Sequence, residues 1–272
     1  MAFLHIDEHT QIYFEDRGSG RPVVLIHGWP LAGGSWEKQS HQLLAAGFRV
    51  ITYDRRGFGR SSAPVGGYDY DTMTGDLAAL MAKLQLQDAT LVGFSMGGGD
   101  VARYMGKFGG KGVAAIVLIS SVTPALGHAE GNPDGVDMSV FAGIKAKIEA
   151  DRYAFLTGFF RDFYNKKLLG GSHISDEAVQ ASWNVAATSS YSAMLKTIDA
   201  WTEDFRTDLA AVKVPTLVVH GDGDQIVPFA NSGKRIEQFV PHALTHVIEG
   251  GPHGILWTHA TNVNQALLKF LT

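Results

Sequence analysis

Five short apolar runs constrain the fold of this chain more than any other feature: Val23-Val24-Leu25-Ile26, Arg49-Val50-Ile51-Thr52-Tyr53, Ala89-Thr90-Leu91-Val92, Ala115-Ile116-Val117-Leu118-Ile119 and Thr216-Leu217-Val218-Val219. Each is too short for a helix, rich in β-branched residues and bounded by Gly, Asp or Ser, as buried strands are. Helix-length amphipathic segments lie between them. Leu77, Leu80, Met81 and Leu84 follow i, i+3, i+4, i+7 spacing, and Ala266, Leu267, Phe270 and Leu271, at i, i+1, i+4, i+5, form a similar apolar face near the C-terminus. This alternation predicts an α/β fold, a mostly parallel sheet with helices on both faces. Residues 3–7 and 11–16 alternate apolar with polar positions around a polar turn, which predicts an antiparallel hairpin at the sheet edge. Leu244–Ile248 adds a late strand, for about eight in all.

The alternation stops between residues 124 and 207. Residues 127–137 are polar and bear Gly and Pro; helical segments follow, crowded with Phe141, Phe155, Phe159, Phe160, Phe163, Trp183 and Trp201. The chain therefore reads as a core of residues 1–123 and 208–272 with a helical lid, 124–207, inserted between its strands.

Composition narrows the function. With 23 basic against 27 acidic residues the formal charge is −4, so no basic surplus exists for nucleic acid or anionic lipid. Zero cysteines exclude disulfides, thiolate metal sites and a cysteine nucleophile. The N-terminal residues lack the basic and apolar regions of a signal peptide, and no run approaches the 18 or so apolar residues of a membrane span; a cytoplasmic protein is expected. No H-E-x-x-H or G-x-G-x-x-G pattern occurs, and Gly97-Gly98-Gly99 lacks the lysine of a phosphate-binding loop, so neither zinc nor a nucleotide is expected.

The 32 glycines cluster at particular turns. Gly93-Phe94-Ser95-Met96-Gly97 follows one predicted strand and precedes a plausible helix, the strand-turn-helix setting of a G-x-S-x-G nucleophile elbow. A serine hydroxyl needs a base, and the base needs a carboxylate to hold its tautomer. After the run 216–219 come Asp222 and Asp224, and the residues leave the choice between them open; after Leu244–Ile248 comes Pro252-His253-Gly254. His253 is the predicted general base, and the ten other histidines, among them His5, His9, His41, His242 and His259, are read as surface or packing residues. The oxyanion of an acyl-transfer intermediate needs preorganised donors. The backbone N–H of Met96 is one; in His27-Gly28-Trp29-Pro30, Trp29 supplies the second, since Pro30 has no N–H.

These motifs, with Asp54-Arg55-Arg56-Gly57-Phe58-Gly59-Arg60-Ser61-Ser62 and the 222–228 loop, resemble the α/β-hydrolase family over nearly the whole chain, and within it the cofactor-free bacterial haloperoxidase, perhydrolase and aryl esterase group. The resemblance places the acid at Asp224, with Ser95 as nucleophile, His253 as base, and Trp29 and Met96 as oxyanion donors. It implies small or aryl esters as substrates, water or hydrogen peroxide as acyl acceptor, no haem, metal or other cofactor, and homo-oligomers as a common state of the group. Pro30 after the oxyanion-hole tryptophan is associated there with members that use peroxide. Serine at position 95 argues against dehalogenase or epoxide hydrolase chemistry, which uses a carboxylate nucleophile; lactonase or amidase activity, or a non-catalytic receptor for a small apolar molecule, fits the same residues. Pocket residues are expected at Pro30, Ile226, Val227 and two of the four rings in the i, i+4, i+5, i+8 stripe Phe155, Phe159, Phe160, Phe163, namely Phe159 and Phe163.

Overall fold

The computed structural model describes residues 2–166 and 174–272. Eight strands form one sheet: β1 (Ala2–His5), β2 (Gln11–Arg17), β3 (Pro22–Ile26), β4 (Arg49–Tyr53), β5 (Ala89–Phe94), β6 (Val113–Ile119), β7 (Thr216–Gly221) and β8 (Leu244–Ile248), in the order β1-β2-β4-β3-β5-β6-β7-β8. β1 and β2 pair antiparallel at one edge, β2 joins β4 antiparallel, and every later pairing is parallel. β5 and β7 are buried at every position, as their unbroken apolar runs require, whereas edge strand β8 buries only Ile248. The structure lengthens several predicted strands at their ends: Gly93 and Phe94 belong to β5, and His220 and Gly221 to β7. Ladder hydrogen bonds carry these strands into the turns that hold the polar residues.

Helices cover the sheet in two sets, α1 (Glu37–Ala45) with α8 (Ile255–Thr258) and α9 (Ala260–Leu271), and α2 (Tyr70–Lys83) with α3 (Gly97–Lys107) and α7 (Arg206–Ala210). α2 starts at Asp69, whose carboxylate accepts the Thr72 N–H, and buries Leu77, Leu80 and Met81, the predicted stripe. Between β6 and β7 run α4 (Met138–Phe163), α5 (Asp176–Ala187) and α6 (Tyr191–Ala200), the last two capped by Ser175 and Ser190. α4 is interrupted at Asp151, which has extended backbone angles (φ −162°, ψ 96°) and whose carboxylate caps the second half through the N–H groups of Tyr153 and Ala154. Among the described residues no helix is long and apolar enough to cross a membrane.

Candidate active site

The buried strand β5 runs directly into the elbow. Ser95 stands there at φ +55°, a left-handed conformation that costs energy for any residue with a β-carbon and persists only where its surroundings fix it. Its N–H donates to the Ile119 carbonyl at 2.8 Å, and its own carbonyl accepts from Gly98 at 3.0 Å. The two flanking glycines are steric necessities: a β-carbon at Gly93 would lie 2.3 Å from the Gly97 carbonyl oxygen, and one at Gly97 2.3 Å from that of Ile26.

Loops after β5, β7 and β8 bring three polar side chains into a line. The Ser95 hydroxyl lies 2.9 Å from His253 Nε2, and His253 Nδ1 lies 2.7 Å from Asp224 Oδ2. An ionised carboxylate only accepts, so Nδ1 carries the proton and Nε2 is left to accept from the serine. Asp224 Oδ1 accepts the N–H groups of Ile226 (2.9 Å) and Val227 (2.8 Å), which orients the carboxylate. Burial alone would raise its pKa; the electrostatic pull of the His253 imidazole and hydrogen bonds from His220 and His253 outweigh burial and hold the carboxyl well below the usual range. Asp222, left open against Asp224 by the residues alone, is exposed and accepts the Gly250 N–H at 2.6 Å. The imidazole of His253 packs against the rings of Phe94 and Phe163, with centroids 5.1 and 5.0 Å away.

The 27–30 loop lies against this line: a β-carbon at Gly28 would come within 2.9 Å of Ser95 Cβ. Neither the Trp29 nor the Met96 backbone N–H donates to an acceptor among the described residues. Two of the histidines read as surface or packing are buried and hydrogen-bonded instead. His27 accepts the Arg55 N–H at Nε2 (2.9 Å) and donates from Nδ1 to the Gly28 carbonyl (2.9 Å); burial and the Arg55 charge push its pKa down to about 3, so it is neutral. His220 Nε2 faces the Val227 carbonyl at 2.9 Å and Asp224 Oδ2 at 3.3 Å. Beneath the loop the Arg55 guanidinium donates to the His27 carbonyl (3.1 Å) and forms a fully buried ion pair with Asp100 on α3. One side chain thus fastens the loop after β3 to the helix that follows Ser95, and the Tyr70 hydroxyl adds a bond of 2.8 Å to the Met96 carbonyl.

A cavity of about 570 Å³ opens over Ser95 and Trp29. Phe155, Phe159, Trp201, Ile226 and Val227 wall it, and the exposed Lys147, Asp162 and Gln225 stand among its lining. Two expected pocket residues do not line it. The Phe163 ring is turned to His253, and Pro30 is buried behind Trp29 across a cis peptide bond, its carbonyl accepting from the Ser189 hydroxyl at 3.2 Å. Phe155 takes the place expected of Phe163. A straight helix drifts about 40° for every four residues, so a stripe that faces the cavity at 155 and 159 has turned off it by 163. Val122 and Leu126, which also line the cavity, carry a signal that went unread: they follow the carboxyl end of β6, where open α/β sheets place their ligands. Among the described residues no group of three or more His, Asp or Glu side chains is arranged to hold a metal ion.

Residues 21–260 match the family described as alpha/beta hydrolase fold. The chain is 54% identical to a protein from Synechocystis sp. that bears the name non-heme chloroperoxidase, over 96% of this chain and 94% of the relative. It is 35% identical to the bifunctional esterase/perhydrolase DCH of Acinetobacter calcoaceticus, over 100% and 99%. The crystal structure of a bromoperoxidase from Bacillus anthracis superposes with a TM-score of 0.95 at 45% identity, covering 99% of both chains.

Proposed function

Because this chain belongs to the α/β-hydrolase family, in the group of its cofactor-free haloperoxidases, we propose that it is a serine esterase acting on small or aryl carboxylic esters through an acyl-Ser95 intermediate, with water and hydrogen peroxide as competing acceptors. The observation that carries this reading is the Ser95–His253–Asp224 line, 2.9 and 2.7 Å, opening on an apolar cavity. In this mechanism His253 Nε2 takes the hydroxyl proton as Ser95 Oγ attacks the ester carbonyl, and Asp224 stabilises the imidazolium. The Trp29 and Met96 N–H groups, which have no acceptor among the described residues, receive the oxyanion. His253 then gives the proton to the departing alcohol. Water or peroxide, deprotonated by His253, attacks the acyl carbon; the bond from that carbon to Ser95 Oγ breaks, His253 returns the proton to Oγ, and the acyl group leaves as a carboxylic acid or a peracid; the peracid can oxidise halide away from the site. The names of the chloroperoxidase and esterase/perhydrolase relatives support both branches.

The helical segment 124–207 serves in this reading as the lid over the acyl pocket, and Pro30, fixed behind Trp29, sets the loop for peroxide use. The lack of cysteine suits the cytoplasm as its location. The test is turnover of p-nitrophenyl acetate with and without hydrogen peroxide, scoring nitrophenol and peracid. Wild type yields both products; Ser95→Ala loses both by about 10⁴-fold or more; Pro30→Leu keeps hydrolysis and loses peracid. Nitrophenol without peracid reduces the protein to a plain esterase, and no turnover of any ester tested moves it to the receptors of this fold.

A further inference from the structure

We propose that His220 is a positioning residue for the acid of the site, a second imidazole sharing the carboxylate oxygen that orients the base. The proposal rests on the serine-hydrolase reading above. His220 lies on β7 and is fully buried. Its Nε2 has two neighbours within reach, the Val227 carbonyl at 2.9 Å and Asp224 Oδ2 at 3.3 Å, and both only accept. The ring proton therefore sits on Nε2 and is shared between them as a three-centre bond. On the other side Nδ1 is buried without a partner among the described residues, and the ring is held in place by Phe229, 5.4 Å away, and by Gly233, where a β-carbon would lie 2.5 Å from Nδ1. A histidine that merely filled space would not need a glycine cleared for one ring nitrogen while the other met two acceptors.

The consequence for the site follows from which oxygen is shared. Asp224 Oδ1 is occupied by the Ile226 and Val227 N–H groups, so Oδ2 alone serves His253, at 2.7 Å, and His220 draws on that same oxygen. His220 does two things there. It closes the 224–227 turn at both ends, through the Asp224 carboxylate and the Val227 carbonyl, and Val227 walls the cavity. It also takes up part of the negative charge that would otherwise act on His253, which keeps the base from holding its proton too firmly. The titratable groups facing Asp224 are His253 and His220; His253 is faced by Asp224, Ser95 and the uncharged rings of Phe94 and Phe163; Tyr164, beside Gly254, turns its hydroxyl to Ser182 at 2.7 Å.

The experiment measures kcat and KM for p-nitrophenyl acetate across pH in wild type, His220→Leu and His220→Gln, with thermal unfolding of each. The glutamine amide reaches where Nε2 stood; leucine fills the space without a donor. For His220→Leu we expect kcat to fall about ten-fold with KM little changed and the acid limb of the kcat/KM profile, which reports His253, to move upward by roughly 0.5–1 pH unit; His220→Gln restores most of both. An unmoved limb, or a loss uniform across pH that follows Tm and is not rescued by glutamine, overturns the proposal. Should His220→Leu fail to fold, His220→Asn, whose amide stops short of Asp224, replaces it in the same comparison. Turnover by wild type that vanishes in Ser95→Ala keeps the esterase reading standing whatever His220 does; absence of that turnover sinks the reading itself.

Discussion

The floor of the site and the helical segment over it are held by different physics. On the floor, position is fixed by contacts that admit one residue type: Gly93 and Gly97 because a β-carbon would meet backbone oxygen at 2.3 Å, Asp224 because two N–H groups and two imidazoles converge on it, Arg55 because its fork spans the His27 carbonyl and Asp100. In the segment above, Phe155, Phe159 and Trp201 meet Trp29 edge to face, with centroids 5.0–6.2 Å apart. Such packing asks for bulk and shape, and several apolar side chains satisfy it. Acyl-transfer chemistry of the kind proposed would need the first kind of precision; a cavity walled by the second kind would leave substrate range free to change without disturbing the reacting atoms.

Arg55→Met tests this contrast most severely. It strands Asp100 as an unpaired buried carboxylate, and a loss of about 3–5 kcal/mol is expected, read as a fall in Tm of roughly 6–20 °C. A loss below about 1 kcal/mol would erase the distinction. The next effect is graded by pH. Since His27 is held near 3 against an ordinary 6.5, the unfolded chain takes up a proton below about 6.5 that the folded chain refuses. Stability is therefore complete above that pH and declines as pH falls toward 3, by up to about 1.4 kcal/mol per pH unit. His27→Gln should flatten the decline in denaturant titrations between pH 6.5 and 4; Asp224, held low, adds its own loss only below the ordinary carboxylate range, in both proteins alike. The smallest effects belong above the site. Phe155→Leu and Phe159→Leu should each cost less than about 1.5 kcal/mol and raise KM for aryl esters about three- to ten-fold at constant kcat. Phe163→Leu, against the base, should lower kcat and spare KM; the reverse pattern would place Phe163 with the pocket after all.

The same contrast explains what could be read from the residues alone. The strands were legible because burial on both faces demands unbroken β-branched runs, and the elbow because its close backbone contacts exclude everything but glycine. Ser95, Asp224 and His253 do come together, although the residues by themselves left Asp222 and Asp224 undecided; only the loop's three-dimensional course sends Asp222 to the Gly250 N–H and Asp224 to the imidazole. Phe163 and Pro30 were misplaced for a related reason. A stripe of four phenylalanines fixes a helix face but not its rotation over the cavity, and a proline beside Trp29 says nothing of which wall it ends behind. In the sequence His220 reads as surface or packing, because a histidine just past a buried run shows nothing else until its neighbours are known, and the structure extends β7 to include it.

Ser95 and His253 are separated by 158 residues of chain, and His253 follows a strand at the far edge of the sheet from the hairpin. During synthesis Ser95 therefore leaves the ribosome long before His253 exists, and until β8 is laid against β7 its hydroxyl is an ordinary alcohol. On the proposed mechanism, acyl-transfer activity would report the final pairing in folding: regain of turnover after dilution from denaturant would time the docking of β8, whatever earlier signals the helices give. On the same reading, a chain caught half-made would carry its serine harmlessly, and reactivity toward esters would arrive together with the finished sheet.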